Sequence, residues 1–376
     1  GRRDAGVVLR DEARRRVRAQ PFMKVKSQGY FATVESLNYC FPNFDQTIYP
    51  LGYTFDELEG KPICNKYISQ ATKDAIAKAN KTGQKKKNVV TTPYFDKHVD
   101  SAQFKHNVGL IPKGALIHFH AKVHGTSHRS GLTKVVGVDL KWWQRALEFV
   151  VNRELYPRER WDYVVGTRNV VLTPGKDGFH GPEQFRFDVA ETLKPHLLPG
   201  MTVYGEIAGY ANGRPIMAVH NGKDAKDKAF LKKFGEQVIY KYNCAEHEYR
   251  FHIYRITMLN HAGINVDYTE AQLEQWCNDR GIIGPVNVCN PIIFDGDVEA
   301  LMAIVEHFTE RNGKLFGSED YLGADYIDPS HPGEGIILRI DTGKANPYFL
   351  KSKAHNFRCM EGMCEAVDAE DVEAAD

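Results

Sequence analysis

Three things are scarce in this 376-residue chain, and each shortage removes a class of protein. No apolar run approaches the roughly 20 residues that a membrane helix needs, and no signal-peptide core follows the basic amino terminus, so neither a spanning nor a secreted protein is expected. The seven cysteines, Cys40, Cys64, Cys244, Cys277, Cys289, Cys359 and Cys364, have no C-x-x-C spacing and an odd count. That pattern predicts reduced thiols in a cytoplasmic compartment, not a zinc module or a disulfide framework. Net charge is low as well, at +1, so any acidic polymer would have to be held by a local groove and not by a global field.

The near-neutral sum hides an asymmetry. Residues 1–26 carry nine Lys or Arg against three acids, while residues 365–376 carry six acids and no base. The first reads as a basic arm, suited to nucleic-acid phosphates or equally to a solvated tail, and the second as an acidic tail. Residues 27–100 read as a small N-terminal module. It holds the aromatic-rich segment Tyr30 to Tyr53, a helix from about Ser69 to Thr82 and the basic run Lys85-Lys86-Lys87. Residues 101–364 read as one α+β domain with core-facing helices over Trp142 to Asn152, Asp224 to Phe234, Thr269 to Arg280 and Asp297 to Asn312. Thr269-Glu270-Ala271-Gln272 opens the third of these with an N-cap threonine and a glutamine at the capping-box position.

The most informative stretch runs from Ala115 to Ser127 and alternates with period two. Ile117, Phe119, Ala121 and Val123 face one way, and His118, His120, Lys122 and His124 the other. This predicts a strand that presents one amine among three imidazoles to a pocket, with Gly125 turning the chain where a ligand approaches the backbone. Such a lysine is a nucleophile if its neighbours lower its pKa, since only the neutral amine attacks. Taken alone, the pattern is better read as an edge strand with a solvated polar face.

Further segments follow in order: Gly166-Thr167-Arg168-Asn169, Val203-Tyr204-Gly205-Glu206-Ile207, Phe251-His252-Ile253-Tyr254-Arg255-Ile256, Glu334-Gly335-Ile336-Ile337-Leu338-Arg339 and Leu350-Lys351-Ser352-Lys353. Together with Lys122-Val123-His124-Gly125-Thr126-Ser127 they resemble the six ordered motifs of the covalent nucleotidyltransferases. Within these, the K-x-H-G-T-N/S form resembles ATP-dependent RNA ligases of the phage RNA ligase 2 type. Any one motif is weak; six in order from Lys122 to Lys353 are far more specific.

The resemblance implies an ATP-grasp-like ligase adenylylation domain of antiparallel sheets flanked by helices, preceded by a small module that some RNA ligases build as an OB-like clamp. It implies that Lys122 attacks the α-phosphate of ATP, that AMP passes to an RNA 5′-phosphate, and that a 3′-hydroxyl then displaces it. The RNA partner would be a nicked duplex or a broken loop. The catalytic set would be Lys122, Glu334, Lys351 and Lys353. Nucleotide contacts would come from Lys122, His124, Gly125, Arg168, Glu206, Tyr254, Glu334, Lys351 and Lys353, and Glu334 would hold Mg²⁺ or Mn²⁺. The chemistry of these side chains agrees: phosphoryl transfer needs positioning and positive charge, Arg168 offers a planar fork for phosphate oxygens, and a carboxylate suits a hard cation.

The chain departs from that pattern in three places. Ala121 stands where Glu commonly precedes the nucleophile, Tyr254-Arg255 replaces the usual Phe-Asp pair with Phe251 as a rival for stacking, and Ser127 replaces Asn. Two other readings remain. DNA ligases and capping enzymes usually carry Asp in place of His124 and an OB domain after the fifth motif, whereas 23 residues follow Lys353 in this sequence. A metal-dependent hydrolase would instead use the His118/His120 pair as ligands.

Overall fold

In the computed structural model the chain divides into two compact units, Gly1–Lys87 and Asn88–Asp376. Of the first, the structure describes Pro21, Phe22, Val25, Lys26, Leu37, Phe41, Asp45, Thr47, Glu57, Leu58, Lys61 and Pro62. Of the second, it describes residues 91–137, 141–151, 156, 158–175, 177–178, 180–310, 323–343 and 346–363. The predicted helix from Ser69 to Thr82, the run Lys85 to Lys87 and the acidic tail lie outside the described residues, as do most of the basic arm and of Tyr30 to Tyr53. In the first unit, Pro21–Phe22 pairs with Val25–Lys26 and Glu57–Leu58 with Lys61–Pro62, both antiparallel.

The second unit is α+β, with antiparallel sheets flanked by helices, as the sequence predicts. Besides five two-residue strands (Asp177–Gly178, Gly181–Pro182, Arg214–Pro215, His220–Asn221 and Gln237–Val238), its described strands are β1 (Ala102–Gln103), β2 (Leu116–Ala121), β3 (Thr126–Val136), β4 (Glu159–Gly166), β5 (Met201–Ala211), β6 (Tyr249–Leu259), β7 (Asn265–Asp267), β8 (Ile292–Ile293), β9 (Gly335–Asp341) and β10 (Tyr348–Lys353). One sheet has the order β8-β2-β9-β10-β1, antiparallel except for the last pair, and the other the order β7-β6-β5-β3-β4. The strand before Lys122 is therefore interior, hydrogen-bonded to β8 and β9. The edge-strand reading fails.

Alternation places the cores. On the first sheet Ile117, Phe119, Ile336, Leu338 and Ile340 face one side, where Leu301 and Val305 of helix Val298–Glu310 cover them. On the second, Val203, Ile207, Ile253 and Ile256 pack under helices Gln184–Leu193 and Glu270–Asn278 through Phe185, Val189, Leu273 and Trp276. The opposite faces of the two sheets carry the polar residues, and that is where the motifs lie.

The helix Glu270–Asn278 starts at the predicted box: Gln272 N donates to Thr269 Oγ1 at 3.3 Å, and Thr269 N donates to Gln272 Oε1 at 2.9 Å. The predicted helix at Asp224 to Phe234 is broken instead. A 3₁₀ turn, Gly222–Ala225, ends at Lys226 with φ 55°, and Asp227 then caps Lys228–Phe234. Helix Trp142–Val151 is not core-facing, because Trp142, Phe149 and Val150 are exposed. The sequence pattern gives no sign of three described α-helices, Phe104–Asn107, Gln184–Leu193 and His355–Met360. Cys359 is disulfide-bonded, which corrects the expectation of reduced thiols alone, whereas Cys244, Cys277 and Cys289 are free. Among the described residues no helix is long and apolar enough to cross a membrane.

Candidate active site

β2 ends at Ala121, so residues 122–125 are the link by which the chain leaves the first sheet and enters the second at Thr126. The alternation stops there. Lys122 N donates to Gly335 O at 3.0 Å, which sets the lysine beside Glu334 at the start of β9. Its ammonium Nζ lies 3.0 Å from Glu334 Oε1. Lys353 Nζ lies 3.5 Å from the same oxygen and 2.9 Å from Glu361 Oε2, and His124 Nδ1 lies 3.4 Å from Glu334 Oε2. Gly335 makes this convergence possible. With φ 140°, any Cβ there would sit 2.1 Å from Ser352 O, so only glycine lets β9 begin hard against β10 and bring Glu334 to Lys353.

Glu334 is buried. Burial pushes its carboxyl pKa up, but Lys122, His124 and Lys353 outweigh that and hold it well below the usual carboxylate range. Burial lowers the pKa of His124 against the pull of Glu334, and raises that of Glu361 against the pull of Lys353.

His124 does not face a pocket beside Lys122. Its ring sits in an aromatic cluster, edge-on to Tyr240 at 4.6 Å and Phe357 at 4.9 Å, and its backbone N–H donates to Tyr242 Oη at 2.6 Å. Gly125 is needed for a different reason from the one its motif suggests. A Cβ there would lie 2.6 Å from Ile207 O, so the glycine lets the link cross the backbone of β5.

A cleft opens on the polar faces of the two sheets. Of the residues expected from sequence, His120, Lys122, Arg168, Glu206 and Tyr254 line it; His118, His124, Gly125, Glu334, Lys351 and Lys353 are not part of its wall. Lys351 is buried, and its register opposite Ile337 puts it on the cleft-bearing face of β10, between the cleft-lining Phe349 and Lys353.

On the second sheet, Ser127, Glu206 and His252 are direct cross-strand neighbours on β3, β5 and β6, and all three line the cleft. Ser127 Oγ donates to Glu206 Oε1 at 2.9 Å. One residue further along β6 the register shifts: Tyr204 pairs with Arg255 and Gly205 with Ile253, leaving Tyr254 as the extra residue of a β-bulge. The bulge lets Tyr254 and Arg255 both join the polar face while Ile253 and Ile256 stay in the core. Arg255 is held by Asp267, Nε to Oδ1 at 2.5 Å and Nη2 to Oδ2 at 2.9 Å, so its charge is matched locally. Phe251 is not in the cleft wall. Its ring packs against His128 at 5.0 Å and over Gly205, where a Cβ would meet it at 2.6 Å.

Arg168 Nη2 donates to Asp100 Oδ1 at 2.5 Å, which presents the guanidinium at the cleft. Sequence reasoning missed His98, whose Nδ1 is hydrogen-bonded to Tyr254 Oη. Burial raises the Tyr254 pKa well above 10.0, and burial with Arg129 lowers that of His98 well below 6.5, so the hydroxyl is assigned as donor to a neutral ring. It also missed Arg186, fully buried in helix Gln184–Leu193. Arg186 donates to Ser127 O at 2.5 Å, to Thr126 Oγ1 at 2.7 Å and to Glu183 Oε2 at 2.5 Å, which fixes the end of the lysine motif. No sequence signal marks it, since Arg186 stands beside the core positions Phe185 and Val189 as any solvated helix residue would.

His118 and His120 do not share a ligand. His118 Nε2 lies 3.5 Å from Asp341 and His120 Nε2 2.9 Å from Glu270, which also holds Arg339 at 3.4 Å. Among the described residues no group of three or more His, Cys, Asp or Glu is arranged to hold a metal ion. The histidine pair thus serves a buried ion network and does not form the ligand set a metal-dependent hydrolase would use. Glu334 remains a fitting partner for a hard cation, since its neighbours keep it ionised and Mg²⁺ takes few protein ligands, filling its shell with water and phosphate oxygen.

No family model matches the chain, and no curated protein matches it. Solved structures similar to it include chains of Naegleria gruberi RNA ligase. An aspartate-to-alanine mutant without ligand is 13% identical with a TM-score of 0.43, over 92% of this chain and 76% of that chain. The ligase with PPi is 14% identical with a TM-score of 0.42, over 91% and 75%. A lysine-to-alanine mutant with ATP and Mn is 13% identical with a TM-score of 0.40, over 70% of this chain and 58% of that chain, which is less than two thirds of its length.

Proposed function

We propose that this chain is an ATP-dependent RNA ligase of the covalent nucleotidyltransferase type, joining 5′-phosphate and 3′-hydroxyl ends through lysyl-AMP and adenylylated RNA. The observation that carries the reading is the position of Lys122. It lines the cleft together with Arg168, Glu206 and Tyr254, while its Nζ rests 3.0 Å from the buried carboxylate of Glu334. A lysine kept there as a structural ion pair would have no reason to share a cleft wall with an arginine fork, a second carboxylate and an aromatic ring.

In this reading Lys122 Nζ attacks the α-phosphorus of ATP. A P–N bond forms, the bond to the bridging oxygen of the β-phosphate breaks, and pyrophosphate leaves with the electron pair. The attacking amine must first lose the proton that the salt bridge shares with Glu334. Tyr254 offers its ring to the base, Glu206 accepts from the ribose, and Arg168 holds phosphate oxygens. Lys351 and Lys353 add positive charge on the adjoining sheet face, where charge builds up in the transition state. Mg²⁺ or Mn²⁺, held by Glu334, would neutralise charge on the departing pyrophosphate. The RNA 5′-phosphate then takes AMP from Lys122, and the 3′-hydroxyl displaces it.

The test is to clear the protein of any bound adenylate with pyrophosphate, incubate it with α-labelled ATP and Mg²⁺ or Mn²⁺, and denature it. Label retained on the chain, and absent from the Lys122→Ala variant, is the expected result. A folded wild-type chain that takes no label with either metal overturns the proposal.

A further inference from the structure

His252 is a buried residue that the proposed chemistry does not use. It is 4% exposed, lies in the cleft wall and has both ring nitrogens buried without a hydrogen-bond partner. Its nearest aromatic neighbour, Tyr242, stands at 5.7 Å in a tilted arrangement that satisfies neither nitrogen. A neutral imidazole always carries one N–H and one lone pair, and burying both unpaired is costly. Burial, reinforced by Arg250, lowers its pKa to about 4, so the ring is neutral at physiological pH and still offers a donor. Buried polar groups are nearly always paired, so one left in a cleft wall points to what the cleft takes in.

The register says what that is. His252 lies directly opposite Glu206 on the neighbouring strand, and Glu206 lies directly opposite Ser127 on the next. Directly opposed side chains stand about 4.5–5.5 Å apart at Cβ. Glu206 is held from the Ser127 side by the 2.9 Å hydrogen bond, which leaves His252 on its other flank. A carboxylate directly opposite an imidazole on the next strand offers an acceptor beside a donor, which matches a single hydroxyl: the carboxylate takes its proton and the ring N–H donates to its oxygen.

We propose that His252 is a specificity-determining residue for the sugar of the bound nucleotide, donating to the oxygen of the one ribose hydroxyl whose proton Glu206 accepts. This rests on the nucleotidyl-transfer reading. It adds a second side chain to the ribose contact, placed by strand register and not by the motif.

The experiment is a binding titration, with no turnover required. Pyrophosphate-treated wild type and His252→Phe are titrated calorimetrically with AMP, 2′-deoxy-AMP and 3′-deoxy-AMP. The wild type is expected to bind one of the two deoxy forms about tenfold more weakly than AMP, as the loss of a paired hydroxyl predicts. In His252→Phe that discrimination should fall by about 3- to 10-fold, one hydrogen bond's worth, with AMP weakened and the same deoxy form unchanged. Equal weakening for all three nucleotides would show that the ring only supports the cleft wall and would overturn the inference. So would a wild type indifferent to both hydroxyls. His252→Gln, which keeps a donor on a flexible stem, should restore part of the discrimination and covers the case in which the phenylalanine variant does not fold. Failure of the wild type to take label from α-labelled ATP is a separate result, and it would remove the ligase reading itself.

Discussion

Lys122 and Glu334 come from the ends of two neighbouring strands, and their charged groups stand 3.0 Å apart with the carboxylate almost wholly out of water. Taking a carboxylate out of water is expensive, and the attraction of a single ammonium often fails to offset it. Here a second ammonium, on Lys353, lies 3.5 Å from the same oxygen, and the convergence keeps Glu334 ionised in the interior. The site therefore holds two lysines and an ionised acid together.

Lys122→Ala should abolish covalent labelling from α-labelled ATP. Lys122→Arg should abolish it equally, since a guanidinium keeps the charge but is not a nucleophile. The alanine variant also removes one partner of the buried carboxylate. With Lys353 still in place, the loss of stability is expected to be on the order of 1–3 kcal/mol, read by urea unfolding. Label retained in either variant would contradict the nucleophile assignment.

The depressed pKa of Glu334 fixes the sign of one pH effect. Its folded value lies below the ordinary 4.5, so its contribution to stability is complete above that value and is lost as pH falls toward the folded one. Glu334→Gln should flatten the acid limb of the stability curve below pH about 4.5. It should also cut adenylation by orders of magnitude. An unchanged acid limb would mean the carboxylate is not held ionised as the geometry requires.

His252 acts in a different window. Its pKa is lowered from 6.5 to about 4, so the unfolded chain binds the extra proton between those values and stability falls as pH drops from 6.5 toward 4. One such group contributes a slope of up to about 1.4 kcal/mol per pH unit. His252→Phe should make the curve shallower in this range and leave the region above pH 6.5 unaltered. The same slope in variant and wild type would be the contrary result.

Arg186→Ala should destabilise the fold by about 3–5 kcal/mol, because it removes the charge partner of buried Glu183 together with one donor each to Thr126 and the Ser127 carbonyl. Arg186→Lys should recover little, since an ammonium cannot reach three acceptors in the plane of a guanidinium fork. Thermal unfolding of the two variants is the measurement. Near-wild-type stability in the alanine variant would show that this anchor is unimportant.

Tyr254→Ala should weaken nucleotide binding more than it lowers the melting temperature, because the residue lines the cleft and the fold loses its one hydrogen bond to the buried ring of His98. Phe251→Ala should do the reverse. Its ring packs over Gly205 and His128 against the core, and losing a packed phenylalanine costs about 3–5 kcal/mol. A parallel titration with AMP and a melt of both variants separates the two roles, and the opposite ranking would return the stacking role to Phe251.

Much of the fold was legible in the chain itself. The period-two run placed the strand at Leu116, and the threonine–glutamine box placed the start of the helix at Glu270, because strand faces and helix caps are set by residues a few positions apart. It was the resemblance to the ordered nucleotidyltransferase motifs, and not these local rules, that drew Lys122, Arg168, Glu206, Tyr254, Glu334, Lys351 and Lys353 into one candidate set. Local rules carry no information about what crosses the space between two sheets, and there the reading failed. Alternation did not survive the end of β2, so His124 turned into an aromatic cluster; within β2, His120 keeps its place in the cleft wall while paired with Glu270, and His118 meets Asp341. Gly125 and Gly335 are explained by the backbone of another strand and not by a ligand. The bulge at Tyr254, the anchor at Arg186 and the row Ser127–Glu206–His252 are products of register, which sets which residues of distant segments stand opposite one another. Sequence determined which side chains have chemistry to offer; only the pairing of the strands decided which of them meet.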